Sequence, residues 1–247
     1  MNLYKDELLN LKKLSEGFDN ERYVAKQILD MHNEALSRKK PVIVELGVDI
    51  GNSTRSFLNA IDEKEGAVLV SVDILDCSHV AASDKWIFVK QDSADINSLI
   101  KKVPALKDGI DILYVDSLHE YSHVRNEIYN FFPYMKKGGV IFFDDTDSSP
   151  YMIFQRKDNP KVEIANRKIH NLLDQIFLAN IGIFDYTIHR GSTGLSRFDV
   201  LSPIGTKLNP PLKTFQRNSF FLWLPWIIFS YLKRKILPQA PRKNINN

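Results

Sequence analysis

The sequence predicts an α/β protein: a doubly wound, mostly parallel sheet with an antiparallel edge strand, preceded by N-terminal helices and followed by an apolar C-terminal tail. Three observations carry this expectation. Short β-branched runs alternate with amphipathic stretches from residue 42 to residue 146, the pattern of strands covered on both faces by crossover helices. Two further strand-like segments, 181–190 and 194–202, are joined by the turn Gly191-Ser192-Thr193-Gly194, and such a pair on a parallel sheet forms an antiparallel edge. The composition, 44% hydrophobic and 26% charged over 247 residues, suits one domain with extensions.

The elements follow in order. Residues 3–38 read as helix, because Leu3, Leu8, Leu9 and Leu11, then Val24, Ile28, Met31 and Ala35, recur at helical spacing. Pro41 ends that region. VIVELG (42–47) is a first strand ending at glycine, and a helical stretch runs from Ser53 to Ile61. AVLVSVDI (67–74) and WIFVKQD (86–92) are the second and third strands, with a short helix at 96–103. DILYVDS (111–117) is the fourth strand, followed by an amphipathic helix over 122–135 that Lys136-Lys137-Gly138-Gly139 closes. VIFFDDT (140–146) is the fifth, and after a looser segment a helix spans 165–179. The chain thus divides into a helical extension (1–40), a sheet domain (41–205) and a tail (206–247).

The totals exclude several classes. Cys77 is the only cysteine, so no intramolecular disulfide forms and a reducing, cytoplasmic setting is expected. The charged N-terminus lacks the apolar core of a signal peptide, which makes the sequon at Asn52-Ser53-Thr54 a chance match. A formal charge of +3 is too small to imply a nucleic-acid partner, and much of the excess lies in the tail.

Ligands of an open parallel sheet bind beyond the carboxyl ends of its strands. Every predicted strand end carries an acid: Glu45, Asp73, Asp92, Asp116, then Asp144 and Asp145. Carboxylates on one rim repel one another unless a ligand or a cation offsets them. The loop after the first strand reads E-x-G-x-x-x-G, with Gly47 and Gly51 allowing close backbone approach. It is not the G-x-G-x-x-G of a pyrophosphate-binding loop. Asp73, at the end of the second strand, can accept hydrogen bonds from ribose hydroxyls.

ELGVDIGNST, VSVDI, DSLHEY, the KKGG turn and IFFDDT together resemble the class I S-adenosylmethionine-dependent methyltransferases. More narrowly they are similar to metal-dependent sugar and macrolide O-methyltransferases and to the cephalosporin-hydroxylase-like group. The resemblance covers roughly residues 40–202 and implies a Rossmann-like sheet. It implies that Gly47 and Gly51 shape a loop for S-adenosyl-L-methionine, with Asn52 and Ser53 among the residues that bind it. Glu45 would lie near the methionine end, Asp73 would hold the ribose, and Asp92 and Ser93 would border the adenine. Asp116, Asp144 and Asp145 would match the family's metal carboxylates.

The metal expectation also rests on the residues themselves. Adjacent fourth and fifth strands would bring these three carboxylates together, and an all-oxygen donor set suits a hard cation such as Mg2+. Some relatives carry D-x-D after the fourth strand, where the second acid is a candidate base. Here Leu118 takes that position and His119, beside Asp116, is the nearest replacement. His119-Glu120-Tyr121-Ser122-His123 also spells H-E-x-x-H, a zinc-protease motif when both histidines share one helix face. His119 is expected before its helix starts, which argues against that reading.

Residues 219–232, SFFLWLPWIIFSYL, are almost wholly apolar but too short to span a bilayer. Trp223, Trp226 and Lys233-Arg234-Lys235 suit the inner face of a membrane through 219–235. Packing on the body or in a homo-oligomer is the competing expectation. The end, 239–247, is expected to be disordered. The expected activity is O-methylation of a sugar or glycan precursor with divalent-metal assistance. A catechol-like or natural-product acceptor, or a non-catalytic cofactor-binding subunit, are the alternatives. The segment 147–165 is expected to line the acceptor site.

Overall fold

The computed structural model describes residues 4–17, 21–147, 160–214 and 220–236. Most of the segment expected to line an acceptor site, and the end expected to be disordered, lie outside these residues. The chain forms two compact units, Met1–Leu212 and Lys213–Asn247.

The first unit carries one seven-stranded sheet in the order β3-β2-β1-β4-β5-β7-β6. Its strands are β1 (Val42–Leu46), β2 (Val68–Asp73), β3 (Trp86–Lys90), β4 (Ile110–Val115), β5 (Met135–Asp144), β6 (Phe184–His189) and β7 (Leu195–Val200). All pairings from β3 to β5 are parallel; β7 runs antiparallel to both β5 and β6. This is the mostly parallel sheet with an antiparallel edge that the sequence predicts. Its order reverses direction at β1, where β2 and β4 flank the first strand, and such a switch point opens a crevice above the strand ends.

The strands alternate strictly between two apolar layers. Val44, Leu46, Val70, Val72, Leu113, Val115, Ile141 and Phe143 enter one layer. Ile43, Leu69, Ile112, Tyr114, Val140 and Phe142 enter the other. The first layer is completed by helices α4 (Ile96–Lys102), α5 (Tyr121–Phe131) and α6 (Pro160–Ala179); the second by α2 (Glu21–Ser37) and α3 (Asn52–Ile61). Each such buried aliphatic or aromatic side chain contributes roughly 1.5–3 kcal/mol by leaving water.

Several boundaries differ from the sequence expectation. The stretch 3–38 is divided between two helices, α1 (Lys5–Ser15) and α2, and α6 starts at Pro160 rather than 165. Helix α5 ends at Phe131, because Pro133 cannot donate into a helix and a short 3-10 turn, Phe132–Tyr134, follows. The Lys136-Lys137-Gly138-Gly139 turn is not a helix closure but part of β5, where the register against β4 shifts between Ile110 and Ile112. Gly138 has φ +78°, the left-handed conformation that a bulge in this strand requires.

The second unit holds α7 (Phe220–Ile236), with Pro225 inside it. No described helix is long and apolar enough to cross a membrane.

Candidate active site

The site is built on the loop after β1. Gly47 has φ +96°, and a Cβ there would lie 1.9 Å from the Asp116 carbonyl oxygen. Only glycine lets the β1 and β4 ends close so tightly. Gly51 (φ +80°) precedes the first residue of α3, and its Cβ would meet Val80 at 2.7 Å. Between them Asp49 also sits at positive φ, 47°, a strained conformation for a non-glycine residue. Asp73 holds this loop from β2: its Oδ2 accepts from the Val48 and Asp49 amides at 2.8 and 3.4 Å, and its Oδ1 from the Leu75 amide at 2.8 Å.

Glu45 is wholly buried and does not reach the cavity beyond the loop. Ser53 and Thr54 of α3 and Ser71 of β2 donate their hydroxyls to it at 2.6, 2.7 and 2.6 Å. Burial pushes its carboxyl up to about 7 against the three hydroxyl bonds, with the Asp116 charge adding to the rise. Asn52 and Ser53 are likewise turned elsewhere: Ser53 to Glu45, and Asn52 to Arg55, from which it accepts at 3.1 Å. The contacts of Glu45, Asn52 and Ser53 therefore brace the glycine loop from behind.

Above the loop lies a cavity of about 490 Å³, within the usual range for small-molecule sites. Gly47, Asp73, Asp92, Ser93 and Asp116 line it, all five of them named from the sequence. Asp49, Ile74, Leu75, Leu118 and His123 line it too, and the sequence assigned none of these five to the site. Loop residues after β2 carry no periodicity, which is why Ile74 and Leu75 escape sequence reading.

His123 is the more instructive omission. Its Nε2 lies 2.9 Å from Ser93 Oγ and 3.2 Å from Glu127 Oε1. Glu127 is wholly buried and also accepts from Ser117 Oγ at 2.5 Å, while its Oε2 has no hydrogen-bond partner among the described residues. The Glu127 hydrogen bond raises the His123 pKa above its ordinary value. Because a carboxylate cannot donate, the Nε2 facing it carries a proton, and this pair ties the β3 and β4 ends together across the cavity wall. The i, i+4 spacing of His123 and Glu127 was the available signal.

The three metal-expected acids do converge, through intermediaries. The Tyr114 hydroxyl lies 3.0 Å from Asp116 Oδ2 and 3.3 Å from Asp144 Oδ2. His119, which precedes α5 as expected, lies 3.3 Å from Asp116 by Nε2 and 3.4 Å from Asp145 by Nδ1. Asp145 has φ +55°, which turns its side chain back toward the cluster. Enclosure by protein, then the Asp116 and Asp145 charges, push Asp144 up to about 7. Burial would lower the His119 pKa, but contact with Asp116 and the charges of Asp145 and Asp144 carry it to about 9. The acids around it thus favour the charged imidazole, while its Nε2, 3.3 Å from Asp116, makes no well-formed hydrogen bond among the described residues.

The donor set has the chemistry of a hard-cation site: three carboxylates whose crowding asks for positive charge. As they stand, the described residues form no group of three placed to hold a metal ion; His119 and Tyr114 occupy the space between the acids.

This sheet order, with a glycine loop after β1, an acid after β2 and an acid pair after β5, is the Rossmann-like fold that solved methyltransferase structures share. Residues 44–146 match the family described as "Methyltransferase domain". Among solved structures, the chain is similar to the MycE methyltransferase of the mycinamycin pathway in complex with Mg, S-adenosylhomocysteine and mycinamycin VI. They share 18% identity over 81% of this chain and 55% of that one, with a TM-score of 0.52. The S-adenosylhomocysteine-bound methyltransferase PaMTH1 of Podospora anserina aligns with a TM-score of 0.56 and 14% identity, over 80% and 88% of the two chains. An uncharacterized protein of Acanthamoeba polyphaga mimivirus is 48% identical over 40 residues, 16% of this chain and 18% of its own length. The chain thus spans little more than half of MycE and a small part of the viral relative.

Proposed function

We propose that this protein transfers the methyl group of S-adenosylmethionine to a hydroxyl of a sugar or glycan precursor, with a divalent cation assisting. One observation carries the reading: Asp73 and Asp116 line a single cavity above the switch point of the sheet. The Asp73 half suits a nucleoside, whose ribose hydroxyls can donate to its remaining lone pairs. Ser93 and Asp92 stand at the far side for the nucleobase. The Asp116 half then faces the sulfonium end and the acceptor.

The acceptor oxygen attacks the methyl carbon, the carbon–sulfur bond breaks, and the electron pair stays on sulfur. The hydroxyl proton passes to a carboxylate, a role we assign to Asp116 because it lines the cavity. The sulfonium is already activated, so alignment supplies much of the rate. Asp116, Asp144 and Asp145 would hold the cation, which when bound lowers the pKa of a coordinated hydroxyl. The MycE complex, with Mg, S-adenosylhomocysteine and a macrolide together, supports this reading by likeness of fold.

A catechol-like acceptor would use the same cluster. A second reading, a cofactor-binding subunit without catalysis, draws on Leu118, which lines the cavity where an acid could serve as base. Radiolabelled methyl transfer to glycan fractions and to catechols, with and without chelator, separates the three. Transfer to glycans that chelator abolishes is expected, and Asp144→Ala should abolish it too. Calorimetric binding of S-adenosylhomocysteine with no transfer to any acceptor would favour the subunit.

A further inference from the structure

The second unit is unlike the first in charge and in surface. Residues 213–247 carry seven Lys and Arg and no Asp or Glu, while the remaining 26 Lys and Arg face 30 Asp and Glu in residues 1–212. Within this cationic unit α7 shows apolar side chains on every side. Trp223, Leu224, Trp226, Ile228, Phe229 and Leu232 are all exposed, and at 100° per residue they are spread around the whole helix.

A helix that is apolar all round does not remain in water; protein or lipid must surround it. A helix lying flat on a membrane would keep a charged face along its length, and α7 keeps none before Lys233. Seventeen residues extend about 25 Å, less than the roughly 30 Å of a hydrocarbon core. Three consecutive cations, Lys233, Arg234 and Lys235, stand at its C-terminal end, and no acid in the unit offsets them.

We propose that helix α7 docks this protein on an anionic lipid bilayer. Helix α7 sinks into one leaflet, the tryptophans lie below the headgroups, and Lys233-Arg234-Lys235 stays at the level of the lipid phosphates. The unit's cations meet anionic headgroups, so both the charge and the apolar surface find a partner in one occupant. This inference rests on the tail alone and stands apart from the chemistry of the cavity.

The test uses the full chain with vesicles of phosphatidylcholine mixed with phosphatidylglycerol, and of phosphatidylcholine alone. A Trp86→Phe background leaves Trp223 and Trp226 as the only tryptophans. Flotation with the mixed vesicles is expected, at least tenfold stronger than with the neutral ones. Tryptophan emission should shift to the blue and be quenched by brominated acyl chains. Lys233→Glu/Arg234→Glu/Lys235→Glu should cost at least tenfold in binding, and Trp223→Ser/Trp226→Ser/Phe229→Ser should abolish flotation. Unchanged thermal unfolding of residues 1–212 in both variants would keep the comparison clean. Equal flotation with neutral vesicles overturns the proposal, as does no flotation with either kind. A dimer in lipid-free solution that the apolar triple variant dissolves, and that vesicles do not displace, assigns the helix to a second copy and overturns it too.

Discussion

Single side chains decide how the rim tolerates its charge. Glu45 ionises at about 7 in the fold against an ordinary 4.5. An acid whose folded pKa is raised adds stability that is complete below its unfolded value and is lost as pH climbs through the folded one. Stability should therefore fall between pH 4.5 and about 7, by up to about 1.4 kcal/mol per pH unit from this group. Denaturant titrations across that interval should show a shallower fall in Glu45→Gln; an unchanged slope would assign the effect elsewhere. Asp116→Asn keeps the shape of the rim but removes the proposed proton acceptor. Methyl transfer should drop roughly 100-fold or more, while S-adenosylhomocysteine affinity changes little, a split that calorimetry and the radiolabel assay read together. Glu127→Gln takes away the carboxylate that fixes the His123 proton. The upward shift of the His123 pKa should vanish, which histidine NMR titration reads directly.

At the level of elements, the β1 loop crosses the β4 end so closely that only glycine fits at position 47. Gly47→Ala would push a methyl group onto the Asp116 carbonyl and force the two strand ends apart. We expect a loss of about 1–3 kcal/mol or more, with cofactor binding lost alongside; thermal unfolding and calorimetry check both. The antiparallel edge depends on Phe198 of β7, which packs against Phe184 at 4.0 Å and Phe143 at 4.9 Å between ring centroids. Phe198→Ala should cost roughly 3–5 kcal/mol. These strands were legible because buried β-branched runs announce themselves, and so were the acids at their ends. What was not legible depends on neighbours remote in sequence. That Glu45 faces three hydroxyls follows from Ser71 lying one strand away, and that His119 stands between two acids follows from Asp145 lying at the end of another strand. The role of His123 was hidden inside a motif that suggests zinc, since only the placement of Ser93 shows which way it turns.

For the molecule as a whole, the division at Leu212 is the main prediction. Residues 1–212 contain the complete sheet, both apolar layers and the cavity. A chain ending at Leu212 should unfold at the same temperature as the full one and bind S-adenosylhomocysteine equally well. Marked destabilisation would mean that the tail completes the core.

The three hydroxyls around Glu45 have a consequence for how this site can change over generations. Each comes from a different position on α3 or β2, and each makes a similar bond to one shared acceptor. Losing one leaves two, so Ser53, Thr54 and Ser71 form a redundant set open to replacement one at a time. Drift can thus reach the underside of the loop without dismantling it, and the carboxylate is the hub about which the other parts are interchangeable.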